Sequence, residues 1–581
     1  MKQLLASPAH GFHRARLRIV GFWCFLLIHV LSLSVAQEPV SCPLGEGGSA
    51  ELIGYWPLLD DAIDRSSTQH QSVATGLRFS AAGSNDVDRR GAEFDGRMSR
   101  IEVPKSSAIN FGRQDFAVSL WVHTDEKLED LLGDLVSCYD PATRTGFNLG
   151  VYNHGGVTNS QANSRQLHFG IDQARLETQF TDHGQLGNAV FVFSLCVHDG
   201  HLYAATCHAG SNEAGRVFRF AGGNNWIDLG SPDRANAISA MAVHEGELYV
   251  ASAKYRLAGS SLAESDNPHR GGRVFRLTTD DQWEACGSVS EETEAIASLI
   301  SYRGQLYASS LYKPAGFFRY EGQQRWTPCA TPDGKRVEAL TVFNGEIFAT
   351  CYDEGSVFRF DGQGWRVAGR IPDATQTYGF GVYRGQLYVS EWPNAHVYRN
   401  TTGTDWVNVG RLGEELEAMP LLVYNGKMYG GTLPKAEVYR YDGDHQWNRL
   451  AQLDTTPDVK YRRAWSMAVY QGRLFVGTLP SGRVHSIEAG KNATYDRPLT
   501  SGWHHVVAQR FGGRLQLHVD GKLVSQSSVF DPQEYDLTNA EPLYIGFGAQ
   551  DFFRGKLAHV RLYRGALTTV QIEELAASDK E

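Results

Sequence analysis

Aromatic rings stand beside carboxylates and amines at four places in the middle of this 581-residue chain: Lys254-Tyr255-Arg256, Tyr312-Lys313, Tyr352-Asp353-Glu354 and Glu391-Trp392. A flat ring offers a stacking face to the apolar side of a sugar or to a peptide group, and a neighbouring charge fixes its orientation. These are therefore the candidate ligand-binding residues. Chemistry of other kinds has less support. The chain carries no Gly-x-Ser-x-Gly elbow, no HExxH and no phosphate loop, so no catalytic residue is assigned. Asp60, Asp61 and Asp64 supply hard oxygen ligands, which makes calcium the candidate cation. Three carboxylates fall short of the usual 6 to 8 oxygens, and a solvated acidic turn is the plainer reading. His504-His505 and His518 suggest a metal only superficially, because neighbouring strand residues point to opposite faces.

The elements that must position these residues repeat. From about residue 190 to residue 487 the sequence resembles itself with a period of roughly 40 residues, which is the range of propeller blades. Each unit has an apolar strand, a Gly turn and an aliphatic-aromatic pair, as in Gly200-His201-Leu202-Tyr203, Gly304-Gln305-Leu306-Tyr307 and Gly472-Arg473-Leu474-Phe475. A third strand alternates as in Val217-Phe218-Arg219-Phe220, and a fourth carries Trp226, Trp283, Trp326, Trp365, Trp406 or Trp447. Four strands make one blade, and the aliphatic-aromatic pair occurs seven times. The seventh unit lacks a fourth strand, while Phe180-Thr181-Asp182-His183-Gly184 stands alone before the first. That segment is expected to complete the seventh blade and close the ring. Arg219, Arg276, Arg319, Arg359, Arg399 and Arg440 recur at one strand position, which argues for a structural role in pairing or stacking. The candidate ligand-binding residues fall on second-to-third-strand turns and inter-blade links, the parts that differ between units. The units resemble kelch-type propeller repeats in their aliphatic-Tyr strand, Tyr-Arg-Tyr-like strand and Trp.

The flanks read as alternating antiparallel strands: Gly54-Tyr55-Trp56, Phe116 to Val122, Phe147 to Val151 and Leu167 to Ile171 before the repeats, then Gly502 to Val507, Leu515 to Lys522 and Phe553 to Tyr563 after them. In that order they resemble the LamG-like members of the concanavalin A-like lectin and glucanase superfamily. The resemblance implies an all-β fold in which a seven-bladed β-propeller is inserted into a jelly-roll sandwich. The expected parts are 45–172 and 496–577 for the sandwich and 173–490 for the propeller. Insertion is tolerable if the ring closure brings entry and exit together. Glycosidases of that superfamily carry Glu-x-Asp-x-x-Glu, whereas Glu534-Tyr535-Asp536-Leu537-Thr538-Asn539 lacks the last carboxylate and reads as a loop. The resemblance also implies a calcium-binding Asp-Glu pair where this chain has Ala558-His559.

Lys2, Arg14, Arg16 and Arg18 precede an apolar run from Ile19 to Leu33 and the small residues Ser34-Val35-Ala36. This is the layout of a signal peptide spanning 1–36, so export is expected, with an N-terminal anchor as the outcome if cleavage fails. No membrane span is expected in the mature chain. A net charge of -10 with no basic run excludes duplex nucleic acid as the expected partner. The cysteines left after cleavage are odd in number and form no CxxC, with Cys42 and Cys138 as one candidate bridge. Asn400-Thr401-Thr402 and Asn492-Ala493-Thr494 are glycosylation sequons. The expected function is an exported or cell-surface binding protein for carbohydrate, matrix or extracellular protein ligands, without a cofactor. A polysaccharide-active enzyme with its site on the propeller loop face, and a structural spacer in an envelope assembly, are the alternatives.

Overall fold

A computed structural model describes residues 50–79, 91–127, 130–174 and 179–578. The expected signal segment 1–36 and Cys42 lie outside the described residues. Among the described residues, apart from one C-terminal helix and short 3-10 turns, the regular structure is β.

The strands flanking the repeats interleave in two sheets. In one, Phe116–Thr124 lies between Arg554–Arg564 and Gly502–Phe511, so strands from opposite ends of the chain are hydrogen-bonded neighbours. In the other, Leu543–Ile545 joins Arg100–Val103 to Gly133–Asp140, and Lys491–Tyr495 extends the sheet beyond Asn163–Asp172. Alternation explains the sandwich. Phe116, Val118, Leu120 and Val122 point into a shared core with Phe147, Leu149, Val151, Leu167, Phe169 and Ile171 of the facing sheet. On the outer face, Ala117, Val507 and Tyr563 pack against Leu567 and Ile572, which seats the helix Thr569–Ser578. Cys138 is a buried free thiol in that core, near Lys105 and Asn539.

The repeats form five separate four-stranded antiparallel sheets and one eight-stranded sheet. Seven blades were expected, and five of the units stand as separate sheets. The first two units are joined, because Cys207 at the end of His201–His208 pairs with Ala237 at the start of the next unit. The ring closes as expected from Phe180 to Gly184: Thr181–Gln185 pairs with Arg483–Ile487 through Thr181 to Ser486 and Asp182 to His485. Each fourth-strand Trp binds the unit before it. The indole N–H groups of Trp283, Trp326, Trp365, Trp406 and Trp447 donate to the carbonyls of Leu229, Cys286, Ala330, Ala368 and Val409 at 2.8–3.1 Å. Five of the six recurring arginines pair with acids instead of stacking on these indoles: Arg219 with Asp281, Arg276 with Glu247, Arg319 with Glu321, Arg359 with Glu346 and Arg440 with Asp442.

The sandwich docks on the end of the ring that carries the first-to-second-strand turns. Arg384 and Gly385 donate backbone N–H groups to the carbonyls of Ala549 and Gln550, and Asn344 N–H donates to the Asp130 carboxylate. From the same side the hairpin between Thr145–His154 and Asn163–Asp172 enters the ring. Gly156 O accepts from Phe380 N–H, Gln161 N–H donates to Met241 O, and Ala162 O accepts from Val197 N–H. Ser160 bonds to Ser194, and the Asn163 side chain brackets the backbone of Val469. Residues 157–163 are all buried. Gly156 has φ +68, and a Cβ there would sit 3.1 Å from both Phe380 and Thr341, so glycine suits this close approach on both counts.

Candidate functional site

With the sandwich on one end of the propeller, the second-to-third-strand turns lie at the other. There the first strands of several units converge, and their side chains meet those of the turns. Phe191 and Phe193 from Ala189–His198, Tyr378 from Gln376–Tyr383 and Trp465 from Arg463–Tyr470 form one apolar cluster with Tyr255, Tyr312, Tyr352 and Trp392. Four of the sequence candidates are thus brought together. Tyr352 and Tyr378 have ring centroids 4.9 Å apart, Phe193 and Tyr255 4.7 Å, and Tyr378 and Trp465 6.2 Å.

Polar groups are embedded among these rings. Arg463, 8% exposed, donates to Ser260 Oγ at 2.8 Å and to Tyr255 OH at 3.2 Å, and its guanidinium lies 5.5 Å from the Trp465 ring centroid. Glu338 and Glu417 occupy the first strands Val337–Phe343 and Glu417–Tyr424 and are 1% and 2% exposed. Burial pushes the Glu338 carboxyl up to about 8, although Arg336, Tyr352 and Asn159 pull against it. Burial likewise raises Glu417 to about 6, opposed by Arg463 and Tyr378. No well-formed hydrogen bond reaches Glu338 Oε2, Glu417 Oε1 or Arg463 Nε among the described residues; the Tyr352 and Tyr378 hydroxyls, close enough to act on the two carboxyls, do not complete that geometry. A buried polar atom without a partner costs roughly 1–3 kcal/mol, so these three are open valences within an aromatic enclosure. Neutral carboxyls can donate as well as accept, so the enclosure can meet both kinds of hydroxyl hydrogen bond.

The charged candidates sit differently. Arg256 stacks on Tyr312 at 4.3 Å and pairs with Glu294 at 2.5 Å. Lys254 is half-buried, with its backbone N–H given to Glu294 O. Asp353 is held by Arg336 and faces Lys313; burial opposes its ionisation, but these hydrogen bonds and charges keep its carboxyl below the usual range. Glu354 is tied to Lys335 and Ser356. Glu391 does not face outward: it is fully buried and accepts the backbone N–H of His396 at 2.8 Å, and burial raises it to about 7. Its work is to brace the turn that presents Trp392.

The acidic turn proposed for calcium is internally satisfied. Asp64 accepts the N–H groups of Tyr55, Ser66 and His70 at 2.8 Å each and the Ser66 hydroxyl at 2.9 Å, and Asp61 pairs with Arg65. A carboxylate that accepts from four donors braces its turn and has its oxygens occupied. Among the described residues no group of three or more His, Cys, Asp or Glu has metal-holding geometry. His504 bonds to Asp520 and His505 to Ser119, on opposite faces as alternation requires.

Glu338, Tyr378, Glu417, Arg463 and Trp465 escaped the sequence reading. Their signal was a charge at or near the start of an otherwise apolar first strand, as in Val337-Glu338-Ala339-Leu340 and Arg463-Ala464-Trp465. Asn159 gave none, because it lies in a polar turn of the other domain.

A laminin G-type profile, described as the Concanavalin A-like lectin/glucanases superfamily, matches residues 440–573, from the last propeller strands into the C-terminal helix. No curated protein matches the sequence. Among solved structures, the chain is similar to a catalytically inactive virginiamycin B lyase from Staphylococcus aureus with quinupristin. The identity there is 10% and the TM-score 0.42, covering 54% of this chain and 99% of that one. It is similar also to a xyloglucanase from Xanthomonas campestris (14%, TM-score 0.39, 54% and 53% covered). A third is the extracellular domain of a putative one-component system from B. thetaiotaomicron (10%, TM-score 0.40, 62% and 53% covered). No helix among the described residues is long and apolar enough to cross a membrane.

Proposed function

We propose that this chain is an exported or cell-surface protein that binds carbohydrate on the propeller end turned away from the sandwich. The eight-stranded sheet counts in this reading as two fused blades, giving seven over 173–490, inserted between LamG-like halves 45–172 and 496–577. The carrying observation is the set of open valences on Glu338, Glu417 and Arg463 inside the enclosure of Tyr255, Tyr352, Tyr378 and Trp465. Stacking rings with a few convergent polar groups are what a sugar needs, and the opposite end of the ring is already taken by the sandwich. The match of residues 440–573 to a lectin and glucanase superfamily adds support for a carbohydrate-related extracellular role. An extracellular protein or matrix ligand is the alternative occupant.

The test is a glycan array with the mature protein, with and without calcium. Saturable binding that falls at least tenfold in Trp392→Ala and in Arg463→Ala supports the reading, a loss of about 1.4 kcal/mol or more. Saturable binding unchanged in both variants places recognition elsewhere. No binding at all shifts weight to a protein ligand. A second reading rests on Glu338, which holds its proton at neutral pH as a general acid must. If the protein cleaves a polysaccharide, Glu338→Gln abolishes turnover while binding persists.

A further inference from the structure

We propose that the axial site is built by both domains: the hairpin 155–162 of the sandwich forms its floor, and Asn159 is a positioning residue that aims the Glu338 carboxyl and the Trp465 indole at the open end. This rests on the axial cluster being the ligand site. Asn159 is fully buried, and its amide bonds to three different first strands. Its oxygen accepts from Trp465 Nε1 at 2.8 Å, and its nitrogen donates to Ala297 O and to Glu338 Oε1, the latter at 3.3 Å. Only a side chain that donates and accepts from one rigid plane satisfies an indole N–H, a peptide carbonyl and a carboxyl oxygen together. With Oε1 held by the amide, the unpartnered Oε2 is the atom of Glu338 left for a ligand.

Docking of the hairpin does not depend on this amide. Gly156, Gln161 and Ala162 make backbone bonds to three other first strands, Ser160 bonds to Ser194, and at the hairpin's end Asn163 holds Val469 on the strand of Trp465. Asn159 is the hairpin residue whose side chain is hydrogen-bonded to both the Glu338 carboxyl, through Oε1, and the Trp465 indole, two groups of the proposed site. Arg336, Tyr352 and Asn159 are the groups that act on Glu338, from its own strand's approach, the neighbouring turn and the floor.

The test needs no ligand, so it stands apart from the glycan array. The protonated carboxyl band of Glu338 is identified in infrared difference spectra by its loss in Glu338→Gln and then titrated. Asn159→Ala removes the donor to the carboxylate and is expected to move the midpoint up by about one pH unit, while Ser160→Ala leaves it in place. Asn159→Asp keeps the acceptor for Trp465, sets a second acid against Glu338 and moves the midpoint further up, which covers the case of a poorly folded alanine variant. An unchanged midpoint in the folded Asn159 variants, or an equal shift in Ser160→Ala, overturns the proposal. With any glycan the array selects, Asn159→Ala should weaken binding about tenfold, the weight of one or two hydrogen bonds, and Ser160→Ala should not.

Discussion

Glu338 shows how far a single burial can move the chemistry of a residue. Folded, it keeps its proton to about 8; an ordinary glutamate releases it near 4.5. Between those values the folded chain holds more protons than the unfolded one, so stability falls as pH rises. The contribution is intact below 4.5 and lost by about 8, and its size is on the order of a few kcal/mol. Glu338→Gln should therefore melt with the parent protein in mild acid and above it at alkaline pH. Thermal melts across that range check this, and parallel curves would refute it. Asp64 does a different job, as a buried carboxylate that accepts from four donors and so ties its turn together. Asp64→Ala strips a buried turn of its acceptor and should cost about 3 kcal/mol, while adding calcium or a chelator leaves the parent's melting temperature unchanged. Tyr255, Tyr312, Tyr352 and Trp392 were legible in the sequence because turns vary between units against a repeating background. Glu391 read as a site residue for the same reason, yet its side chain folds inward, and side-chain direction in a turn is not encoded by spacing.

At the scale of the element, the repeating Trp joins units. Trp447 is mostly buried, lies tilted against Tyr441 with ring centroids 5.0 Å apart and gives its N–H to Val409 O. Trp447→Phe keeps a ring but orphans that carbonyl, and a loss of about 1–2 kcal/mol in stability is expected from denaturant melts. The ring-closing ion pair of Asp182 with Arg483 is exposed by about two-fifths on each side, so Asp182→Ala should cost under ~1 kcal/mol. Closure comes from the backbone pairing. The sequons separate in the same way. Asn400 leads an exposed turn, whereas Asn492 is buried in Lys491–Tyr495 and Thr494 spends its hydroxyl on Asp496. In a secretory host with the glycosylation machinery, the folded protein should carry a glycan at Asn400 alone, read by mass spectrometry after deglycosylation. Blades, closing strand and sandwich strands were legible because period-two alternation and Gly punctuation are local. The joining of the first two units was not, since it depends on how closely Cys207 approaches Ala237 across a link.

For the molecule as a whole, the decisive feature is that the sandwich holds the propeller from within and from below, and no local pattern announces this. The hairpin tip reads as an ordinary polar turn, and only the closed ring reveals that Asn159 ends among first strands. Below it, Lys427 of the propeller and Asp172 of the sandwich form an ion pair in which both side chains are under 8% exposed. Asn425 donates beside it to Ile171 O and Ala489 O, where the chain leaves and re-enters the sandwich. Two domains so connected should unfold together. Calorimetry of the parent protein is expected to give one transition. Removing one partner leaves the other charge buried and uncompensated, a loss of about 3–5 kcal/mol, whereas removing both charges forfeits much less. Lys427→Met should therefore lower the transition or split it into sandwich and propeller components. Lys427→Met combined with Asp172→Asn should recover most of the difference. Two transitions in the parent, or a double variant no better than the single, would mean that the domains are docked by shape and backbone contacts and owe little to this pair.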